Sequence, residues 1–439
     1  MNLRIQNNTA TKLMQISKVS KENPSYKFVS LASMLNEDYL KSCFHRLNKK
    51  KASGVDGVSV EQYGERLDEN LRSLVAKMKS MSYKPQNVLR VYIPKVQGGL
   101  RPLGIPTVED KIVQKGISEI LKAIFEPNFI DESYGFREGL GCHDALKKIS
   151  QEISTKPINY IIDADIKGFF DNVDHAWMTK FLEHRINDKN LIRLIVRFLK
   201  SGIMENGKGY KTEEGTPQGG IISPILANIY LHYVLDLWFK KVLRKSLQGY
   251  AEIVRYADDF VILVQYKEDC DKILESLKER LLKFKLELSE SKTSTIRFGK
   301  TANKNDRDNK PGTFDFLGFT HFCATSRNGY FKVGRKTSKK RFNRKIKEMN
   351  EFLKANRNRY KLNVLWSKLK QKLLGHYHYY GVSENSRSIS NYRAKVRRLI
   401  FKWLNRRSQK KSFNWNSFSK YLAKYPLPYP KIYVSFYKN

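Results

Sequence analysis

Two adjacent carboxylates, Asp258 and Asp259, lie in the middle of an apolar stretch at residues 253–264. β-forming residues run up to the pair and away from it, which predicts a strand, a tight turn and a second strand. Asp is common in turns, so an isolated pair would indicate a solvated surface turn. The residues on either side of this pair are too apolar for a solvated surface turn. Two carboxylates at the tip of a hairpin instead predict a site for a hard cation.

A second acid-bearing strand precedes this hairpin in the chain. Asp163 and Asp165 alternate within an apolar stretch at residues 159–171, so both carboxylates point to one face of the strand. We expect Asp165 to lie beside Asp258. Two Mg²⁺ ions held ~4 Å apart by such carboxylates would activate a 3′-hydroxyl and stabilise a leaving pyrophosphate. Mg²⁺ suits this chemistry because it keeps few protein ligands and completes its shell with water and phosphate.

Apolar periodicity predicts the framework that positions these acids. We expect a weakly ordered arm or a short helix over the first 35 or so residues, and a short strand at 91–94. The predicted helices lie at residues 37–47, 60–78, 144–153, 175–200, 221–243 and 268–286, with a possible break in the fourth at 187–190.

Three sequence blocks resemble those of group II intron reverse transcriptases. The tetrad Tyr-Ala-Asp-Asp at residues 256–259 is similar to the reverse-transcriptase signature, and Asp165 stands at the place of the family's first catalytic aspartate. Between them lies a Gly-rich block at residues 215–220, followed by Ile-Ser-Pro at 222–224 and Leu-Ala-Asn at 226–228. Each block alone is moderately specific, whereas the three in this order and spacing are very specific.

The resemblance covers nearly the whole chain from about residue 37. It implies an RNA-directed DNA polymerase in which Asp165, Asp258 and Asp259 hold two Mg²⁺ ions. The substrates would be an RNA template, a DNA primer and deoxynucleoside triphosphates. The implied fold is α+β, a right-hand polymerase with a palm sheet, fingers and a helical thumb. Its expected divisions are an N-terminal arm at 1–36, fingers with an N-terminal extension at 37–158, palm at 159–331, and thumb or maturase domain X at 332–439.

The resemblance also assigns residues to the incoming nucleotide. Lys95 and Arg101 flank a Gly-Gly turn and would neutralise the triphosphate from a fingers hairpin, although by themselves they are two cations among 82 Lys and Arg residues. Arg137 would contact template or nucleotide, but Glu-Gly follows it where the family often has Pro. Gln218, in the Gly-rich block, would face the template–nucleotide pair.

Two further roles come from family position. The ring of Phe170, five residues after Asp165, would lie under the sugar of the incoming nucleotide and exclude a 2′-hydroxyl, while Phe169 is expected in the core. Lys292 would protonate the departing pyrophosphate. The alternatives are ordinary core packing for Phe170 and a solvated surface cation for Lys292.

The charge of the chain predicts a polyanionic partner. Its 439 residues carry a formal net charge of +39 at pH 7, and nucleic acid is the leading candidate. The alternative, a basic protein of membrane surfaces, lacks an amphipathic anchor or a long apolar span. No signal-peptide core precedes the first helix, and the four cysteines show no C-x-x-C spacing. We therefore expect a cytoplasmic protein without a zinc site or a disulfide framework.

The last quarter of the chain carries most of this charge. From Lys332 onward there are 30 Lys and Arg residues against three acids, with aromatic residues interleaved. Helices are predicted at about 337–356, 361–380 and 388–408, where the aromatics could either stack bases or pack between helices. Residues 373–381 resemble the core of maturase domain X. The expected RNA-binding residues on the third helix are Lys395, Arg397 and Arg398.

Three functions remain open at this point. The first is a reverse transcriptase that binds its group II intron RNA, assists splicing and copies the intron during retrohoming. Many relatives end in an endonuclease with paired cysteines, which we do not expect here because no cysteine follows Cys323. The second is an RNA-binding splicing cofactor whose polymerase is dispensable, although the three intact acids argue against it. The third is a domesticated reverse transcriptase of bacterial defence or repair. The sequence does not indicate the oligomeric state.

Overall fold

The computed structural model describes residues 2–94, 99–205, 207–210, 214–215, 219–302, 310–407, 409 and 412–437, with side chains from residue 9 onward. The chain forms two compact units. The first unit comprises Met1–Ala145, Ala164–Ile262 and Lys267–Ser294. The second unit comprises Leu146–Asp163, Leu263–Tyr266 and Thr295–Asn439. The division into arm, fingers, palm and thumb at residues 36, 158 and 331 stays a prediction.

Helices and strands are mixed along the described chain, as the predicted α+β class requires. The helices are α1 (Asn2–Glu22), α2 (Glu37–His45), α3 (Val60–Glu65), α4 (Leu67–Lys79), α5 (Val108–Phe125), α6 (Cys142–Thr155), α7 (His175–Glu183), α8 (Lys189–Leu199), α9 (Ser223–Leu231), α10 (Leu237–Lys241), α11 (Lys267–Lys283), α12 (Lys339–Asn356), α13 (Leu362–Tyr380), α14 (Ser386–Leu404) and α15 (Trp415–Lys424). The strands are β1 (Val88–Pro94), β2 (Leu100–Ile105), β3 (Tyr160–Ala164), β4 (Ile203–Glu205), β5 (Lys208–Tyr210), β6 (Ala251–Tyr256), β7 (Asp259–Val264), β8 (Ser294–Arg297), β9 (Thr313–Phe316), β10 (Phe319–Thr325) and β11 (Phe331–Thr337).

Helix α5 is the buried centre of the first unit. Thirteen of its 18 residues are buried, including the polar Asp110 and Gln114, so neighbouring segments cover most of the helix surface. It begins at Thr107, whose side chain caps the helix by accepting from the backbone N–H of Asp110. A Cβ at Gly116 would lie 2.9 Å from a methyl group of Leu35, which shows how closely the N-terminal segment packs on this helix.

The N-terminal segment differs from its prediction as a weakly ordered arm or short helix. It forms α1, a helix of 21 residues that packs on α5. Ser20 is fully buried near the end of α1, and its hydroxyl accepts from Arg185 at 2.8 Å and from Asn128 at 2.9 Å. These tertiary hydrogen bonds, absent from any local pattern, hold the helix in place.

Three sheets are present in the described chain. The first has the order β2-β1-β4-β5, with β1 and β2 antiparallel and Ile93 opposite Arg101. The second has the order β11-β10-β9, where His321 of β10 lies between Arg335 and Phe314. The third has the order β6-β7-β3-β8. The boundary between the units falls within β3 and β7, so Asp165, Asp258 and Asp259 belong to the first unit and Asp163 to the second.

Three predicted helices are interrupted in the structure. The helix expected at 60–78 divides into α3 and α4 at Arg66. The break expected near 187–190 is present, because Asp188 caps α8 by accepting from the N–H groups of Asn190 and Leu191. The helix expected at 221–243 consists of α9, a π-helical segment at His232–Asp236, and α10.

The basic helices of the second unit agree with the prediction within a few residues, and α15 was not anticipated. Their aromatic residues divide between core and surface. Tyr377, Tyr380 and Trp403 are buried, whereas Tyr379 and Trp415 are exposed. None of the helices among the described residues is both long enough and apolar enough to cross a membrane.

Candidate active site

Asp165 directly follows β3 and is held by the backbone of a neighbouring segment. Its carbonyl oxygen accepts from the N–H of Ser289 at 2.8 Å, and Ile166 forms an antiparallel bridge with Leu288. The short helical turn Glu290–Lys292 follows immediately. The backbone contacts therefore bring Lys292 to the carboxylate of Asp165.

Lys292 forms an ion pair with Asp165. The ammonium nitrogen lies 2.5 Å from Oδ2 of the carboxylate, and the two side chains are 54% and 27% exposed. Both residues were predicted at one site, and the structure brings them together. The role of Lys292 as a proton donor stays a prediction.

Asp258 sits at the turn between β6 and β7. The preceding residue, Ala257, has φ of 58°, a left-handed conformation that non-glycine residues rarely adopt. Gly135 packs directly against this turn: a Cβ there would lie 2.1 Å from the backbone nitrogen of Ala257. The turn leaves Asp258 half-buried and Asp259 exposed. Only a glycine at position 135 permits this approach, which gives the Ser-Tyr-Gly block at residues 133–135 a physical role.

The electrostatics of Asp258 link it to the other predicted residues. Burial raises the pKa of its carboxyl, and the negative charge of Asp165 raises it further. The cations Arg101 and Arg255 act in the opposite direction. Asp165 and Arg101 therefore each lie within electrostatic reach of Asp258.

The donor chemistry at Asp165 and Asp258 fits a hard cation. The negative charge of each carboxylate makes ionisation of the other less favourable. A divalent cation bound between them would offset this repulsion. Mg²⁺ commonly binds through one or two protein carboxylates, with water and phosphate completing its shell. Among the described residues, no group of three or more His, Cys, Asp or Glu side chains converges on one point.

Arg255 anchors the turn from within the core and was not anticipated from the sequence. Its fully buried guanidinium donates to both carboxylate oxygens of Asp236, at 2.8 and 2.5 Å. It also donates to Asn228 Oδ1 at 3.0 Å and to the carbonyl oxygen of Ala257 at 2.9 Å. The amide of Asn228 in turn donates to the carbonyl oxygen of Gly135 at 2.8 Å. One network thus fixes both sides of the acid-bearing turn.

The π-helical segment explains how Asp236 enters this network. It adds a residue to the helical turn between α9 and α10, which changes the direction of the side chains that follow. Asp236 is its last residue and is fully buried. The sequence does show that Arg255 is a charged residue in an apolar strand, and that Asn228 and Asp236 lie within an apolar helix. Neither feature indicates that Arg255 pairs with Asp236.

The nucleotide-binding predictions are described only in part. Arg101 is exposed on β2, and Lys95 and Gln218 lie outside the described residues. The end of the Gly-rich block reaches β2, since a Cβ at Gly219 would lie 2.7 Å from the carbonyl oxygen of Gly104. Its start reaches Phe170, since a Cβ at Gly215 would lie 3.0 Å from that residue's carbonyl oxygen. The described ends of the block, Gly215 and Gly219, therefore approach two elements predicted to face the nucleotide.

Phe169 and Phe170 have different environments. Phe169 is 2% exposed and packs in the core, as expected. Phe170 is half-buried, and its ring lies edge-on to that of Phe169 with centroids 5.3 Å apart. The partial exposure leaves Phe170 available to a ligand, and its role as a sugar gate stays a prediction.

The guanidinium of Arg137 forms an ion pair and hydrogen bonds within the protein. It pairs with Glu126 at 3.0 Å and donates to the carbonyl oxygens of Ile130 and Ser133. Only 12% of its side chain is exposed. The structure thus supports a role in holding the loop before the Ser-Tyr-Gly block, while contact with template or nucleotide stays a prediction.

The predicted RNA-binding cations lie on α14 of the second unit. Lys395 and Arg398 are exposed, and Arg397 is half-buried and donates to Ser419 at 2.9 Å. The intervening Val396 and the following Ile400 are buried. The helix therefore presents the cations while its apolar residues pack inward.

Comparison with known proteins adds an independent observation. Residues 93–321 match the family model described as Reverse transcriptase (RNA-dependent DNA polymerase). The chain is 36% identical to the Group II intron-encoded protein LtrA of Lactococcus lactis subsp. cremoris, in an alignment that covers 64% of this chain and 56% of that relative. It is 32% identical to Protein YkfC of Escherichia coli (strain K12), over 64% of this chain and 78% of the relative. It is 28% identical to the Putative COX1/OXI3 intron 1 protein of Saccharomyces cerevisiae, in an alignment that covers 66% of this chain and 41% of that relative.

Proposed function

Because the chain belongs to the reverse transcriptase family, we propose that it is an RNA-directed DNA polymerase, which extends a DNA primer on an RNA template with deoxynucleoside triphosphates. The α+β architecture is consistent with the palm, fingers and thumb of that family. The alignment spans only 56% of the length of LtrA.

The observation that carries the proposal is the placement of the acids on neighbouring strands: Asp165 directly follows β3, Asp259 begins β7, and β3 and β7 are adjacent in the third sheet. Lys292 pairs with Asp165, and the charge of Arg101 acts on Asp258. Asp165 and Asp258, with Asp259, would hold the two Mg²⁺ ions. Bound Mg²⁺ supplies charge stabilisation for the attacking and leaving oxygens of phosphoryl transfer. Arg101 would meet the triphosphate with a positive charge, and Lys292 would bring an ammonium group to the leaving pyrophosphate. The Arg255 network keeps the turn of Asp258 in position.

We further propose that the protein binds a group II intron RNA, assists its splicing and copies it during retrohoming. Two observations support this. One relative is named a group II intron-encoded protein, and another, of Arabidopsis thaliana, is named Nuclear intron maturase 4, mitochondrial. The segment after Lys332 carries 30 cations against three acids, far more positive charge than solubility requires.

Primer extension on an RNA template tests the polymerase. Asp165→Asn, Asp258→Asn and Asp259→Asn are compared with wild type, with Asp271→Asn on exposed α11 as the matched control. We expect each site variant to lose extension and the control to retain it, since only the site variants remove a metal ligand. Extension by Asp258→Asn near the wild-type rate would refute the catalytic assignment. Circular dichroism and RNA binding, measured on the same preparations, separate a catalytic loss from unfolding.

A further inference from the structure

A cavity of about 430 Å³ lies within the second unit, between the basic helices α12, α13 and α14. Most of its lining comes from one face of each of two helices, and Tyr392 of α14 completes it. α12 contributes residues at 341, 344, 345, 348 and 349, and α13 contributes residues at 372, 375, 376, 379 and 380. This spacing marks a helix-packing seam. Here the facing positions of α12 and α13 carry cations and a glycine instead of large apolar side chains, so a space remains between the two helices. The volume falls within the range of about 300–1,000 Å³ typical of ligand sites.

The charge of this lining favours an anionic ligand. Its one acid, Glu348, already pairs with Arg344 at 3.3 Å and with Lys345 at 2.9 Å. Arg341 and Lys372 form no ion pair with an acid in the part of the chain that the structure describes. Two cations without acidic partners beside a cavity provide a site for phosphate oxygens.

His376 provides the polar group inside the cavity. It is 7% exposed, and neither ring nitrogen has a hydrogen-bond partner among the described residues. Tyr392 stacks on the imidazole with centroids 3.6 Å apart, and Tyr380 lies 4.7 Å away at a tilt. Because these rings cover its faces, the imidazole meets a ligand through its edge. Burial lowers the pKa of His376 to about 3, so at neutral pH the edge offers one donor and one acceptor.

The ligand chemistry follows from these three features. A planar group with donors and acceptors on its edge complements His376 and the aromatic side chains of the lining, and an attached phosphate complements Arg341 and Lys372. The aromatic side chains are Tyr379, Tyr380 and Tyr392. We propose that the cavity receives one nucleobase projecting from an RNA strand, whose adjoining phosphate is held by Arg341 and Lys372. The inference rests on the RNA binding proposed above and adds to it a specific site. A free nucleotide shares this chemistry and is separated from the strand by the test below.

Gly375 allows the cavity to be filled without disturbing the fold. A Cβ built on this residue meets no atom within 4 Å, and its backbone has no positive φ. Gly375→Leu would therefore occupy the space that the base needs. Leucine also favours helix more than glycine does, so the thermal midpoint should not fall. Ser367→Leu places the same side chain at an exposed position of α13 that is not part of the lining, and is the matched control.

The experiment compares two RNA hairpins with identical stems. One hairpin is fully paired, and the other carries a single unpaired 2-aminopurine, whose fluorescence reports stacking. Wild type should bind the bulged hairpin ~5- to 150-fold more tightly, the range for one base stacked on aromatic side chains. Gly375→Leu should lose this preference and the fluorescence change, while keeping the affinity for the paired hairpin. Ser367→Leu should behave as wild type.

Two further arms complete the test. Arg341→Gln should weaken binding of the bulged hairpin more than binding of the paired one, whereas Arg387→Gln, an exposed cation on α14, should weaken both alike. Adenosine 5′-monophosphate serves as the free nucleotide. Equal wild-type affinity for the two hairpins, or an unchanged preference in Gly375→Leu, would overturn the proposal. Adenosine monophosphate binding that Gly375→Leu removes, without any bulge preference, would assign the cavity to free nucleotides instead. Failure of wild type to bind either hairpin would instead count against the RNA-binding function itself.

Discussion

Arg255 donates two hydrogen bonds to the carboxylate of Asp236, and both side chains are fully buried. The same guanidinium donates to the carbonyl oxygen of Ala257, in the turn that presents Asp258. A buried ion pair is tolerated only when geometry and further hydrogen bonds satisfy both charges, and Asn228 completes this one. The position of a candidate metal ligand therefore depends on an acid at the end of a π-helical segment.

Removing one partner of this pair should be costly. Asp236→Asn leaves the charge of Arg255 buried without a counter-charge, so we expect a loss of about 3–5 kcal/mol in the free energy of unfolding. Urea denaturation measures this loss. Glu290→Gln, which breaks the exposed pair with Lys278, is the control and should change stability little. Wild-type stability in Asp236→Asn would contradict the role assigned to the network.

Arg255→Lys tests positioning apart from charge. Lysine keeps the positive charge but loses the forked geometry that reaches Asp236 and Ala257 together. We expect a smaller loss of stability than in Asp236→Asn and a clear fall in the rate of primer extension. A folded variant with wild-type extension would show that the bond to Ala257 does not position the turn.

The acids were predictable from sequence because their signal is local. Asp258 and Asp259 interrupt an apolar stretch, and Asp165 follows an apolar strand, so residue type and spacing were enough. The Asp236–Arg255 pair was not predictable, because it depends on a π-helical segment and on burial that no local pattern reports. Helix α5 was not among the predicted helices, although its apolar residues at 112, 113, 117, 120, 121 and 124 recur at helical spacing.

Lys292 has two possible roles at its pair with Asp165. As a proton donor to pyrophosphate it should contribute ~10²–10⁴-fold to the rate of phosphoryl transfer. We therefore expect Lys292→Met to slow single-turnover extension by that factor at saturating Mg²⁺. Lys278→Met, which removes an exposed lysine of α11, should not. A wild-type rate in Lys292→Met would reduce Lys292 to a solvated cation paired with Asp165.

Phe170 provides a test of sugar selection. If its half-buried ring lies under the sugar, Phe170→Val should raise the use of ribonucleotides relative to deoxynucleotides by roughly 10- to 200-fold, the range for removing a few carbons from a pocket. The ratio of the two kcat/KM values measures this effect. Phe169→Leu, a change in the buried neighbour, is the control and should affect stability more than selectivity. An unchanged ratio in Phe170→Val would place the gate elsewhere.

His321 should make the stability depend on pH. Burial and the nearby charge of Arg335 lower the pKa of His321 from 6.5 to about 3. Between these values the unfolded chain binds a proton that the folded chain does not, so stability is complete above pH 6.5 and falls as the pH falls towards 3. At pH 5 the loss is about 2 kcal/mol. His321→Phe keeps a ring stacked on Phe314 and should remove this part of the dependence.

Denaturation at pH 7 and pH 5 measures the effect of His321→Phe. The exposed His378, which stacks on Tyr433, provides His378→Phe as the control. The control should retain the wild-type difference between the two pH values. An equal difference in His321→Phe and wild type would show that His321 becomes protonated without cost in the folded protein.

Catalysis is assigned to the acids and RNA binding to the basic helices, so variants at the two places distinguish the candidate functions. Changing Lys395, Arg397 and Arg398 to Glu reverses three charges on α14 and leaves the buried Val396 and Ile400 in place. For a duplex, each lost phosphate contact makes the slope of log affinity against log salt shallower by about 0.9. We therefore expect weaker RNA binding with a slope up to ~3 shallower. The same three changes on α11, at Lys267, Lys272 and Lys283, control for overall charge.

Splicing and extension, assayed on the same preparations at near-physiological Mg²⁺, then distinguish the hypotheses. A reverse transcriptase that assists splicing predicts that Asp258→Asn still splices the candidate intron, because removing an acid does not weaken attraction to phosphate. It also predicts that the α14 variant fails to splice and that the α11 variant splices normally. A defence or repair enzyme predicts no stimulation of any intron by wild type, and a biological function lost with Asp258. Splicing that requires Asp258, or normal splicing by a folded α14 variant, would contradict the assignment of intron binding to the basic helices.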